Sequence, residues 1–197
     1  YWLFITVSIV LILLMATMWS ITTTTRNKTQ AEYEFFQRDL FQHTSFSNKS
    51  IFSIQKIIDY SPGSDNLKRE IEFISTFSRA IVGHQSINTA IIQRTREHLP
   101  EDDPLNLKPS LVEMDARIKQ AIQFMNEFNT RIHEASSIAA LAAVVGHYRP
   151  QLMHLVDTLN DNLNLQAQVQ SVFFSTLKTN LSNTMSRLKA FFYILVV

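Results

Sequence analysis

From Tyr1 to Ile21 the chain carries no charge, no proline and no glycine. Only Thr6, Ser8, Thr17 and Ser20 interrupt its apolar residues. A helix of about 20 such residues spans the hydrocarbon core of a bilayer. Trp2 and Trp19 stand near the two ends, where interfacial aromatic belts form. The apolar core of a secretory signal runs only about 7–15 residues, so a transmembrane helix over 1–21 is the expectation. At the other end, eight consecutive apolar residues follow Lys189. Eight is too few to span, which predicts the start of a second, truncated membrane helix over 187–197. The first residue is not Met, so the chain reads as a piece of a longer protein.

The stretch between, 22–186, divides at its proline and glycine residues. Tyr60-Ser-Pro-Gly-Ser-Asp65 is one break, Leu99 to Pro109 a second, and Gly146-His-Tyr-Arg-Pro150 a third. Four helical segments are predicted: 22–60, 65–98, 110–146 and 150 onward. The third is the most regular. Leu111, Met114, Ile118, Ala121, Met125, Phe128, Ile132, Ala135, Ala139 and Ala142 follow 3-4 spacing, the seam of a helix packed in a bundle. Ser110 and Glu113 have the spacing of a capping box at its start, and the small residues around Ser136 mark a place for a kink or break.

The other seams mix apolar and polar positions. Tyr33, Phe36, Leu40, Ile51, Ile54 and Ile58 share a register with His43 and Ser47. Leu67, Ile71, Ile74, Ile81, Ile92 and Leu99 share one with Ser78, Gln85, Asn88 and Thr95. Leu152, Leu159, Leu163, Phe173, Leu177, Leu181 and Leu188 share one with Gln166 and Gln170.

Helices of roughly 35–40 residues are about 50–60 Å long, and short connections make successive helices antiparallel neighbours. The expected fold is therefore all-α, over three-quarters helical. It is an up-down-up-down four-helix bundle continuous with two transmembrane helices. The 99–109 break would lie near the membrane, the other two breaks at the far tip.

Composition narrows the function. All 35 charged side chains lie between Arg26 and Lys189, and the net charge is only +1. That balance argues against a nucleic-acid partner. With no cysteine, disulfide frameworks, thiol catalysis and cysteine-based zinc sites are excluded. Three glycines leave little for phosphate-cradling loops. Arg26, Lys28, Arg187 and Lys189 flank the spans on one side, but the positive-inside rule weakens for a loop longer than about 60 residues.

A membrane helix, about 160 residues of helical bundle and a returning membrane helix resemble the ligand-sensing regions of bacterial transmembrane receptors: chemoreceptors, sensor histidine kinases and some membrane diguanylate cyclases. The resemblance is architectural and covers the whole chain without a specific motif. It implies a homodimer in the inner membrane, with its body in the periplasm and a cytoplasmic output domain, a histidine kinase first among the candidates. It also implies a small polar or anionic ligand, or a periplasmic binding protein, as partner. A membrane-anchored scaffold with no small ligand is the rival expectation.

Catalytic and cofactor chemistry are not expected. The six histidines (43, 84, 98, 133, 147 and 154) include no i, i+4 pair and no HExxH. Carboxylates alternate with basic residues along helices, as in Lys68-Arg69-Glu70, the pattern of a solvated face. The polar seam positions carry the site expectation. Folding the first hairpin about Pro62 sets Ser47 level with Ser78 and Arg79. Folding the second about His147 sets Arg131 and His133 level with Asn162. Ser47, Ser78, Arg79 and Asn162 are thus the candidate ligand-binding residues, with Arg79 to grip a carboxylate by two parallel bonds.

Overall fold

The computed structural model describes residues 1–99 and 105–196. It is 91% helical and, among the described residues, contains no strand. Four helices follow one another: α1 (Trp2–Ile58), α2 (Leu67–His98), α3 (Leu107–His133) and α4 (Ile138–Val196). The central part of the predicted 99–109 break lies outside the described residues.

α1 is 57 residues long because nothing in it stops a helix. No proline or glycine occurs before Pro62. The hydroxyls of Thr6, Thr17 and Thr22 donate to carbonyls one turn back, Trp2, Leu13 and Met18, at 2.8–3.0 Å. Such back-bonding satisfies a polar group without water. α1 is the one described helix long and apolar enough to cross a membrane, and the apolar window has no buried residue.

The helix boundaries correct two sequence readings. The third predicted helix, 110–146, ends at His133, and the turn of 134–137 replaces the predicted turn at 146–150. Ser137 caps the next helix, its Oγ accepting from the Ala140 N–H at 3.1 Å. Pro150 lies inside α4. An interior proline costs about 3 kcal/mol. The apolar stripe Leu141, Val145, Leu152, Leu155 and Leu159 is buried on both sides of it and offsets that cost. Ser110 and Glu113 form no capping box. α3 begins a turn earlier, behind Asn106 in the left-handed region at φ 50°, and Glu113 pairs with Arg117.

The chain packs as two units, 39–172 and the pair of stretches 1–38 with 173–197. In the first unit, cross-helix bonds pair Asp39 with Arg94, Ser47 with Asn88 and Ser50 with Gln85. Numbers therefore rise along α1 as they fall along α2. Ser75–His133 joins α2 to α3, Glu127–Tyr148 joins α3 to α4, and Ile58–Arg149 joins α1 to α4. The apolar core gathers Ile54, Ile57, Ile74, Ile81, Met125, Phe128, Ile132, Leu141, Leu152 and Leu155. Phe128 is the largest fully buried side chain, and its truncation to Ala is expected to cost about 3–5 kcal/mol. In the second unit Phe36 stacks on Phe173 at 3.9 Å and Tyr33 meets Phe174 at 5.3 Å.

Candidate functional site: a buried polar seam

Toward the 39–50 end of unit 39–172, amides and hydroxyls join the buried apolar side chains such as Ile91, Ile92 and Leu165. His43, Ser47, Ser50, Gln85, Asn88 and Asn162 are all fully buried, and Gln166 is 2% exposed. Each falls on the heptad-like face that would otherwise carry an apolar residue, so helix packing forces these side chains inward.

Two sets of hydrogen bonds run through the seam. The Asn162 Nδ2 lies 2.9 Å from the His43 Nε2. An amide nitrogen can only donate, so Nε2 accepts and the neutral ring carries its proton on Nδ1. Asn88 Nδ2 donates to Ser47 Oγ at 3.0 Å and to Gln85 Oε1 at 3.3 Å, while Gln85 Nε2 donates to Ser50 Oγ at 2.8 Å. Asp39 closes one end. Its carboxylate side chain, 6% exposed, receives the Arg94 Nε at 3.0 Å from the half-exposed guanidinium.

The pairing is incomplete. His43 Nδ1, Asn88 Oδ1, Asn162 Oδ1 and both polar atoms of Gln166 find no partner among the described residues. Each such buried group costs about 1–3 kcal/mol. Burial also pushes the His43 pKa down from 6.5 to about 4, because a charged ring is poorly solvated there. The seam is thus polar, carries a neutral His43 ring at neutral pH and is short of hydrogen-bond partners; its one charged pair, Asp39 with Arg94, is internally compensated.

The four predicted site residues do not meet in one layer. Ser47 bonds Asn88, and Asn162 bonds His43. Ser78 is buried elsewhere and donates to the Met125 carbonyl at 3.3 Å. Arg79 lies on the surface, its guanidinium 60% exposed and 2.7 Å from Glu72. His133, expected level with Asn162, bonds Ser75 at 2.9 Å instead. Each hairpin has its own reason. Helix 3 turns at 134–137 rather than 146–150, and the α1–α2 pairing is offset by about ten residues from a fold centred on Pro62. The residues missed as site members, Gln85, Asn88 and Gln166, stand at the polar seam positions of the sequence pattern. Gln170, at the same kind of position, is exposed.

Among the described residues no group of three His, Asp or Glu could hold a metal ion. Comparison with known proteins finds no matching family model, curated protein or solved structure.

Proposed function

We propose that the chain is the ligand-sensing and signal-transmitting region of a bacterial membrane receptor. In this reading 39–172 is the body of an up-down-up-down four-helix bundle. α1 leads into it from a membrane span, and 187–197 begins a second span. The body faces the periplasm of a homodimer, and the output domain, a histidine kinase in the first instance, follows in the cytoplasm. A chemoreceptor or a diguanylate cyclase is the next reading of that output.

The observation that carries the proposal is the His43–Asn162 contact within an under-bonded seam. It joins the first and last helices of the chain, the two through which a membrane signal would leave. A small polar ligand that completes those hydrogen bonds favours one packing of α1 against α4. A ligand shifts such an equilibrium only by its differential affinity for the two states. Because Arg79 lies on the surface and the seam's one buried charge, Asp39, is already paired with Arg94, the ligand class that fits is neutral and polar rather than a carboxylate.

The test is a fusion of the chain to a reporter histidine kinase. Replacing Asn162 by Leu removes the polar contact at the α1–α4 seam and is expected to shift basal kinase output several-fold. Output identical to that of the unaltered chain would leave the scaffold reading in its place.

A further inference from the structure

The second packing unit holds a cavity of about 630 Å³ between its two helical stretches. α1 lines it with Thr22, Thr25 and Arg26, and α4 with Asn183, Thr184 and Arg187. The Thr22 and Thr184 hydroxyls already donate to their own helices. The donors left for an anion are the two guanidinium groups, the Asn180 and Asn183 amides and the Thr25 and Thr29 hydroxyls. Among the described residues, neither Arg26 nor Arg187 has an ion-pair partner.

The charge around this cavity has one sign. Glu32 is the first acidic residue of the chain and Asp161 the last. The segments outside them carry Arg26, Lys28, Lys178, Arg187 and Lys189 and no acidic side chain. Depth agrees with charge. Arg26 lies five residues past Ile21 on one continuous helix, about 7.5 Å further along the axis. The polar headgroup layer extends roughly 5–8 Å beyond the hydrocarbon core.

We propose that this cavity binds the phosphate of an anionic phospholipid headgroup, gripped by Arg26 and Arg187. The proposal rests on the reading that the apolar part of α1 crosses a membrane. Guanidinium groups offer paired N–H donors that match a phosphate, and the apolar residues preceding Thr22 receive the acyl chains. The site would make the packing of α1 against α4 dependent on lipid composition.

The test reconstitutes the full chain in phosphatidylcholine vesicles with trace spin-labelled phosphatidylglycerol or spin-labelled phosphatidylcholine, and reads the motionally restricted fraction of each. Flotation with the vesicles is measured first. Phosphatidylglycerol is expected to be favoured by about fivefold per arginine. The double substitution Arg26→Gln with Arg187→Gln brings the preference close to one. The triple substitution Lys28→Gln, Lys178→Gln and Lys189→Gln keeps most of it. Equal loss in the two variants would mean a diffuse basic collar and overturn the site. Loss of the preference in millimolar inorganic phosphate would make the free anion the ligand and overturn the lipid assignment. A chain that floats without any preference overturns the cavity proposal alone. A chain that fails to float overturns the membrane reading with it.

Discussion

The Nε2 of His43 lies 2.9 Å from the side-chain amide nitrogen of Asn162, with both residues fully buried. They are 119 residues apart in sequence, and the contact fixes the register of α1 on α4. It also fixes the protonation state of the ring. A proton added at Nε2 would face the amide N–H, so the charged ring requires the amide to turn over as well as a desolvated charge.

A pH dependence follows from that contact. His43 has a folded pKa of about 4 against 6.5 for the free side chain. The unfolded chain therefore binds the proton first. The stabilisation from keeping this ring neutral is complete above about pH 6.5 and is lost as pH falls toward 4. The loss amounts to about 3 kcal/mol. Urea unfolding of the chain in micelles at pH 7 and pH 4.5 measures it. The His43→Gln variant is expected to show a smaller drop than the unaltered chain over that interval.

Arg149 and Arg79 differ in what their guanidinium groups hold. Arg149 donates from Nη2 to the carbonyl of Ile58 at 2.6 Å, closing the end of α1. Arg149→Ala is expected to cost about 1.5–3 kcal/mol, the value of a charged hydrogen bond. Arg79→Ala breaks an exposed pair with Glu72 and is expected to stay within about 0.5 kcal/mol. Denaturant midpoints of the two variants, side by side, check both.

The all-helical class and the number of helices were legible from spacing alone. The apolar register of α3 is buried from Leu111 to Ile132, and the Pro62–Gly63 break lies between α1 and α2. The 146–150 break misled because Gly and Pro are strong local signals, whereas the stripe from Leu141 to Leu159 keeps its 3-4 spacing straight through them. Tertiary burial outweighed the local preference. The short turn at 134–137 carries only Ala135, Ser136 and Ser137 as its markers, with neither glycine nor proline. Once that turn moved, the levels inferred for Arg131, His133 and Asn162 moved with it, while Ser47 is displaced by the separate offset of α1 on α2, which pairs it with Asn88. The polar seam was therefore visible as a pattern, while its partners were not.

The turn itself is testable. Ser137→Ala removes the side-chain cap of α4 and is expected to cost about 1 kcal/mol. Pro150→Ala is expected to stabilise, by up to about 3 kcal/mol, since the helix continues through that position. Thermal melts followed at 222 nm separate the two signs.

Assembly makes a prediction on α1. Phe41 and Phe52 are exposed, and Asn48 between them lies on the same face, whereas Leu40, Ser47 and Ile54 are buried. If copies meet through α1, single cysteines at 41, 48 and 52 form disulfide-linked dimers in membranes, and cysteines at 40, 47 and 54 do not. Cross-linking without this periodicity would remove the parallel dimer from the reading.

The seam around His43 and Asn162 is expected to be the poised part of the body, less stable than the apolar core beside it. Partnerless buried polar atoms lower the free energy of local opening. Amide hydrogen exchange on the full chain in micelles reads this directly. Exchange is expected to be faster over 40–50, 85–95 and 158–166 than over 125–132 and 141–157. Gln166→Leu, which removes two of those atoms, is expected to slow exchange in the first group. Uniform protection across both groups, unchanged by Gln166→Leu, would contradict it.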